Sequence, residues 1–259
     1  SLRVVTARCV GALSMNSFLL ILGAYPQIGP SIRPAHASPA LGRRRKLAEE
    51  DNMLTIYHVP GTRGVRPIWL CEELQIPYSV VPVDFTPEFR ASSEWRAMNP
   101  VGKVPVLRDE LGGESEDLLM FESGAMVQYI LDRYGNGRLQ PATGSPEHAL
   151  YLQWSWFAEA TFARPLGEIV NHVREFPGEQ RIDAVVTEMQ ARAALSAKAL
   201  GDEMSDKTFI LGETFSAADI MLGYTLMLAD RFLANGLPDS VVPYWQRLTS
   251  RPAYQKAVS

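Results

Sequence analysis

From residue 54 onward the apolar positions fall into two periods. Residues 54–59 read as a strand, and 65–74 as a helix that turns Val65, Ile68, Trp69 and Cys71 toward a core. Pro67 is tolerated in its first turn, where an N–H has no intrahelical acceptor. A second strand follows over 78–85, and a right-handed crossover makes it parallel to the first. Short apolar runs at 104–107 and 118–121 pair as a hairpin around Gly112-Gly113. The next segment, 124–134, carries Ala125, Met126, Tyr129, Ile130 and Tyr134 close to helical spacing.

Beyond residue 134 the pattern changes. Gly135-Asn136-Gly137 and the Pro-, Gly-, Thr- and Ser-rich stretch 139–146 read as a linker, and everything after it is helix-like. Helices are predicted over 147–173, 178–204, 216–235 and 243–250, with Phe176-Pro177-Gly178 and Leu237-Pro238 as stops. Ser216-Ala217-Ala218-Asp219 fits a capping box with Asp in the reciprocating position. The helix it starts is apolar nearly all round, as the central helix of a second domain is expected to be. The predicted fold class is α/β plus all-α. A thioredoxin-like domain (βαβ, then ββα) over residues 53–138 is followed by the linker 139–146 and a helical domain over 147–259.

Composition narrows the chemistry. The chain is 46% hydrophobic and 21% charged, ordinary for one or two globular domains. Cys9 and Cys71 form no Cys-x-x-Cys, and with four scattered histidines no metal site is expected. Residues 1–48 contain no acidic residue; residues 1–52 carry a net +4, leaving −8 on the rest, which argues against a nucleic-acid partner. Three readings of that prefix are open: a secretory signal with Phe18-Leu19-Leu20-Ile21-Leu22 as its apolar run and Ala35-His36-Ala37 as its cleavage site, an Arg-rich transit peptide, or residues upstream of a true start at Met53. The third is preferred, with residues 1–52 disordered and the protein cytoplasmic. The apolar run is too short to span a membrane.

Two segments carry candidate chemistry. Pro105 interrupts an apolar run between Val104 and Val106, which fits an edge strand or the first residue of a strand. If the peptide bond before it is cis, the Val104 amide and carbonyl face outward and can pair with an extended peptide. Glu122 and Ser123 fall at a strand-to-helix junction. There the Ser123 hydroxyl and N–H suit a carboxylate, and Glu122 suits the ammonium beside it. An ordinary N-cap is the plain alternative.

These residues carry a resemblance. From Met53 to the C-terminus the chain resembles a soluble glutathione S-transferase, with the class open between serine-type and bacterial or fungal-like. The resemblance rests on Asn99-Pro100 through Leu107, Glu122-Ser123 with its helix, Ser216-Ala217-Ala218-Asp219-Ile220, and Tyr244-Trp245 through Arg251-Pro252-Ala253-Tyr254. It implies glutathione as co-substrate, no metal, a homodimer, and thiol attack on a small hydrophobic electrophile or glutathione-dependent reduction of peroxides or disulfides, as in detoxification. It places Glu122 and Ser123 on the γ-glutamyl end, Val104 with Pro105 on the cysteinyl part, and Lys103 near the glycyl carboxylate. A non-catalytic binding or assembly module on the same fold is the alternative. A plain thioredoxin-type oxidoreductase lacks its cysteine pair.

Activating the thiol sets an energetic requirement. Lowering a pKa near 8.5 by about two units takes roughly 2.7 kcal/mol. A helix N-terminus offers at most about 1–2 kcal/mol, so a donor to sulfur is expected in the loop after the first strand, worth roughly 1.5–3 kcal/mol. Thr62 matches the hydroxyl of serine-type relatives; Tyr57, Arg63 and Arg66 are alternatives, and Gly64 stands where some bacterial relatives have serine. Cys71 lies too far along its helix to serve and reads as core. Trp154 and Phe157, with Trp156 and Phe162, are the expected walls of an electrophile pocket, although such spacing also suits core packing.

Overall fold

The computed structural model describes residues 54–111 and 117–259. The Gly112-Gly113 turn, Met53 and the prefix before it lie outside the described residues. The first half is a four-stranded sheet in the order β2-β1-β3-β4, built from β1 (Leu54–His58), β2 (Tyr78–Pro82), β3 (Val106–Asp109) and β4 (Leu118–Met120). β1 and β2 are parallel, joined through α1 (Val65–Leu74), while β3 runs antiparallel to both β1 and β4. α4 (Ser123–Tyr134) closes the unit. This is the thioredoxin-like order read from the sequence.

Several boundaries differ for local reasons. β3 starts at Val106 rather than Val104, because Pro105 has no N–H to give the ladder; β3 lies inside the sheet, so Pro105 stands before a strand start and not on an edge. β2 stops at Pro82 rather than residue 85. Two short helices, α2 (Pro87–Ala91) and α3 (Ser93–Met98), occupy a stretch assigned no element from sequence. The Thr86 and Ser92 hydroxyls cap them by accepting from the Phe89 and Trp95 amides.

The second half is helical. α5 (Pro146–Trp156) runs through a π-helical stretch (Phe157–Phe162) into α6 (Ala163–Val170) and a second π turn (Asn171–Glu175). α7 (Asp183–Glu203) begins later than expected, since Gly178 has φ +65° and a single 3₁₀ turn intervenes. α8 (Ala217–Phe232), α9 (Val242–Thr249) and α10 (Pro252–Val258) complete it; α10 was not foreseen. The capping box of α8 is present, and the fully buried Asp219 also accepts from the Ile210 amide (2.9 Å) and the Tyr244 hydroxyl (2.7 Å).

The two halves share one core. Trp69 of α1 is fully buried against Phe215 and Tyr254. α8 approaches so closely that a Cβ on Gly223 would lie 2.5 Å from the Trp69 ring. Salt bridges Glu73–Arg251 (2.6 Å) and Glu72–Lys256 (2.8 Å) flank this contact.

Candidate functional site

The sheet register gathers three loops at one end. β1 leaves the sheet at His58, the residues before β3 enter beside it through the Tyr57–Val106 pairing, and β4 runs out toward Glu122 from the Leu107–Met120 pairing. The loop 59–64, the pair Val104-Pro105 and the junction Glu122-Ser123 therefore stand at the same edge.

Each loop is held in a distinct way. The Val104-Pro105 bond is cis. The Val104 N–H and C=O have no protein partner among the described residues. The loop before it is held by the buried Asn99, whose Nδ2 donates to the Lys103 carbonyl (2.9 Å) and whose Oδ1 accepts from the Val101 amide (3.1 Å), leaving the Lys103 side chain exposed. Glu122 has φ +75° and ψ 100°, a conformation that side-chain-bearing residues adopt only when their surroundings impose it. Its carbonyl accepts from the Met126 amide (2.9 Å), so it is locked to the first turn of α4.

Ser123 is buried, and behind it lies a charged network. Arg66, with no exposed surface, donates through Nη1 to Ser123 Oγ (3.1 Å) and to Glu159, and through Nη2 to Thr225 Oγ1 (3.2 Å) and the Met221 carbonyl (3.3 Å). Arg63 Nε reaches the other Glu159 oxygen at 3.0 Å. Burial lowers the Arg66 pKa while Glu159 opposes the change. Burial also works against the Glu159 charge, but Arg66 and Arg63 outweigh it and hold that carboxyl below its ordinary value. Ser123 thus accepts from a fixed cation, and its own hydroxyl hydrogen remains for a ligand acceptor.

The loop candidates are differently placed. Thr62 Oγ1 donates to the Val59 carbonyl at 2.7 Å, and the Arg63 guanidinium is paired with Glu159. Tyr57 lies on the face of β1 opposite Ile56 and His58, edge-on to Trp95 at 6.1 Å. Cys71 is fully buried in the core, where desolvation and then Glu72 push its thiol up to about 12. The sequence reading assigned no role to His58, Asn99 or Glu159. Glu159 offered one signal, a lone acid in the aromatic run 154–162.

Comparison with known proteins identifies the family. Residues 52–132 match the glutathione S-transferase N-terminal domain and residues 183–252 the C-terminal domain. The chain belongs to the glutathione S-transferase family. It is 29% identical over 215 residues to glutathione S-transferase GstB of Escherichia coli K12, covering 80% of this chain and 98% of that one. It is 25% identical over 208 residues to the disulfide-bond oxidoreductase YfcG of the same organism, covering 80% and 94%. The glutathione transferase URE2P8 of Phanerochaete chrysosporium, solved with oxidized glutathione, superposes with a TM-score of 0.71 at 25% identity, over 81% of this chain and 95% of that one.

In this family member an apolar cleft of about 400 Å³ opens beside the γ-glutamyl candidates, bordered by Glu122, Tyr151, Leu152, Trp156, Glu159 and Met221. Trp156 is 67% exposed there. Trp154 and Phe157 are not on its walls: Trp154 is buried in the core edge-on to Phe157 (5.1 Å), and Phe157 packs against Phe162 (6.2 Å). Helical phase explains the difference, since neighbours in sequence point about 100° apart. Among the described residues no cluster of His, Cys, Asp or Glu could hold a metal ion, and no helix is long and apolar enough to cross a membrane.

Proposed function

We propose that this chain binds glutathione in extended form across the sheet end and activates its thiol for attack on a small hydrophobic electrophile, or for reduction of a peroxide or disulfide. One observation carries the reading. The unpaired Val104 N–H and C=O can form a short two-bond ladder with the cysteinyl residue, at the same sheet end as Ser123, which can donate to the γ-glutamyl carboxylate while Glu122 faces the ammonium. Lys103, exposed beside Val104, suits the glycyl carboxylate. Activation is assigned to the end of β1 and the loop after it, and the electrophile to the space between that loop and the helical half. Retention on a glutathione column together with conjugation of an aryl halide is the expected result; retention without turnover of any halide, peroxide or disulfide would favour a non-catalytic module.

A homodimer belongs to the same reading. Leu119 and Phe121 at the end of β4, and Leu150, Leu152 and Trp156 on α5, are large apolar side chains left exposed. A second copy of this chain is their proposed cover, and sedimentation of Trp156→Glu is expected to show monomer. A cytoplasmic location is proposed with it, to be checked by the mature N-terminus, since cleavage near Ala37 would contradict it.

A further inference from the structure

The thiol needs a donor, and the hydroxyl and cation in its loop are spoken for: Thr62 donates to Val59 and Arg63 pairs with Glu159. The chain places a different group there. His58 is the last residue of β1, only 7% exposed, on the face of the strand shared with Leu54 and Ile56. Its ring lies against Gly64, the residue that caps α1. A Cβ at Gly64 would sit 2.2 Å from His58 Nδ1, so the imidazole fills the space a side chain at position 64 would take.

The two ring nitrogens are not equivalent. Nδ1 is the one fully enclosed without a partner. It faces the start of a ten-residue helix, whose positive end favours a lone pair there over a hydrogen. The hydrogen of the neutral ring then sits on Nε2. Burial lowers the His58 pKa, so the ring is held neutral as the helix end also requires. The Arg63 and Gly64 amides of the following loop have no protein acceptor among the described residues, so the loop offers further donors.

We propose that His58 is the sulfur-binding donor of this site: its Nε2–H hydrogen-bonds the glutathione thiolate, while the free amides at the start of α1 add their field to the same charge. The thiol proton leaves to solvent and no covalent bond forms between His58 and sulfur. This rests on the glutathione reading above. It accounts for a glycine at position 64, because any side chain there would displace the ring.

The test reads the ionisation of bound glutathione from thiolate ultraviolet absorbance against pH, using the full chain and His58→Phe and His58→Gln. In His58→Phe the midpoint is expected to rise by about 1–2 pH units, with a smaller rise in His58→Gln, which keeps an N–H donor. Calorimetric affinity for S-methylglutathione, which has no thiol, is expected to stay within about twofold, under 0.5 kcal/mol. An unchanged midpoint in His58→Phe overturns the assignment to His58 alone. Wild-type protein that fails to bind S-methylglutathione overturns the glutathione reading and the inference with it. If the variants do not fold, imidazole ¹⁵N spectra of the wild type decide: the Nε2 signal of His58 is expected to differ between glutathione and S-methylglutathione complexes at a pH where the thiol is ionised, and identical signals refute the contact.

Discussion

Arg66 Nη1 donates to Ser123 Oγ at 3.1 Å, linking the first helix of the sheet domain to the first turn of α4. The same guanidinium binds Glu159, Thr225 and Met221 of the helical half. One buried cation thus orients the residue proposed to meet glutathione and ties both halves together.

Replacing Arg66 by Ala leaves Glu159 with Arg63 as its only cationic partner among the described residues and empties a fully enclosed space. The expected loss is about 3 kcal/mol, the lower part of the range for breaking a buried pair because Glu159 keeps 27% exposure. Urea unfolding measures it, and a loss below about 1 kcal/mol would show that the network contributes little.

Ser123→Ala removes one hydroxyl and leaves the Arg66 pairing with Glu159 in place. Glutathione affinity is expected to fall by about 1.5–3 kcal/mol, roughly ten- to a hundredfold, the size of a hydrogen bond to a charged group. Calorimetry on the folded variant checks it; unchanged affinity would place the carboxylate elsewhere.

Acid stability follows from Glu159. Its carboxyl titrates lower in the folded protein than in the unfolded chain, so its contribution is present above the unfolded pKa near 4.3 and is lost as pH falls through the folded value. Glu159→Gln is therefore expected to be less stable than the parent at pH 7, with the difference shrinking below about pH 4. A difference that stays constant or widens on acidification would contradict the assignment.

Asp219→Ala tests a group outside the site. From its cap alone the expected cost is about 1 kcal/mol. The added bonds from Ile210 and Tyr244, all buried, raise it to about 3 kcal/mol or more. Turnover per folded molecule is expected to match the parent, which separates folding from catalysis.

Much of this was legible because it lies in local pattern. β1, α1, α4 and the capping box of α8 announce themselves by period and by cap residues, and the Val104-Pro105 and Glu122-Ser123 pairs are recognisable by their order along the chain. α2 and α3 are too short to show a period, with Trp95 their single buried residue, although Thr86-Pro87 and Ser92 were readable as helix starts. Glu159 meets Arg66 across 93 residues of sequence, from within a π-helical turn that shifts side chains off the 3.6-residue period. A histidine that ends a strand, as His58 does, looks ordinary in sequence, and only the fold brings Gly64 against its ring.

The close crossing of α1 and α8 at Trp69 and Gly223 also bears on how the gene can be divided. Residues 139–146 look like a seam, yet the Leu139 carbonyl accepts from the Ala217 amide at 2.8 Å, and α1 has its buried indole against the far half. A fragment ending at the seam would present Trp69 to water and leave the Arg66 cation unpaired. Both halves together are the smallest unit that keeps these contacts, and a split version of the protein is expected to need reassembly before Trp69 and Arg66 regain their partners.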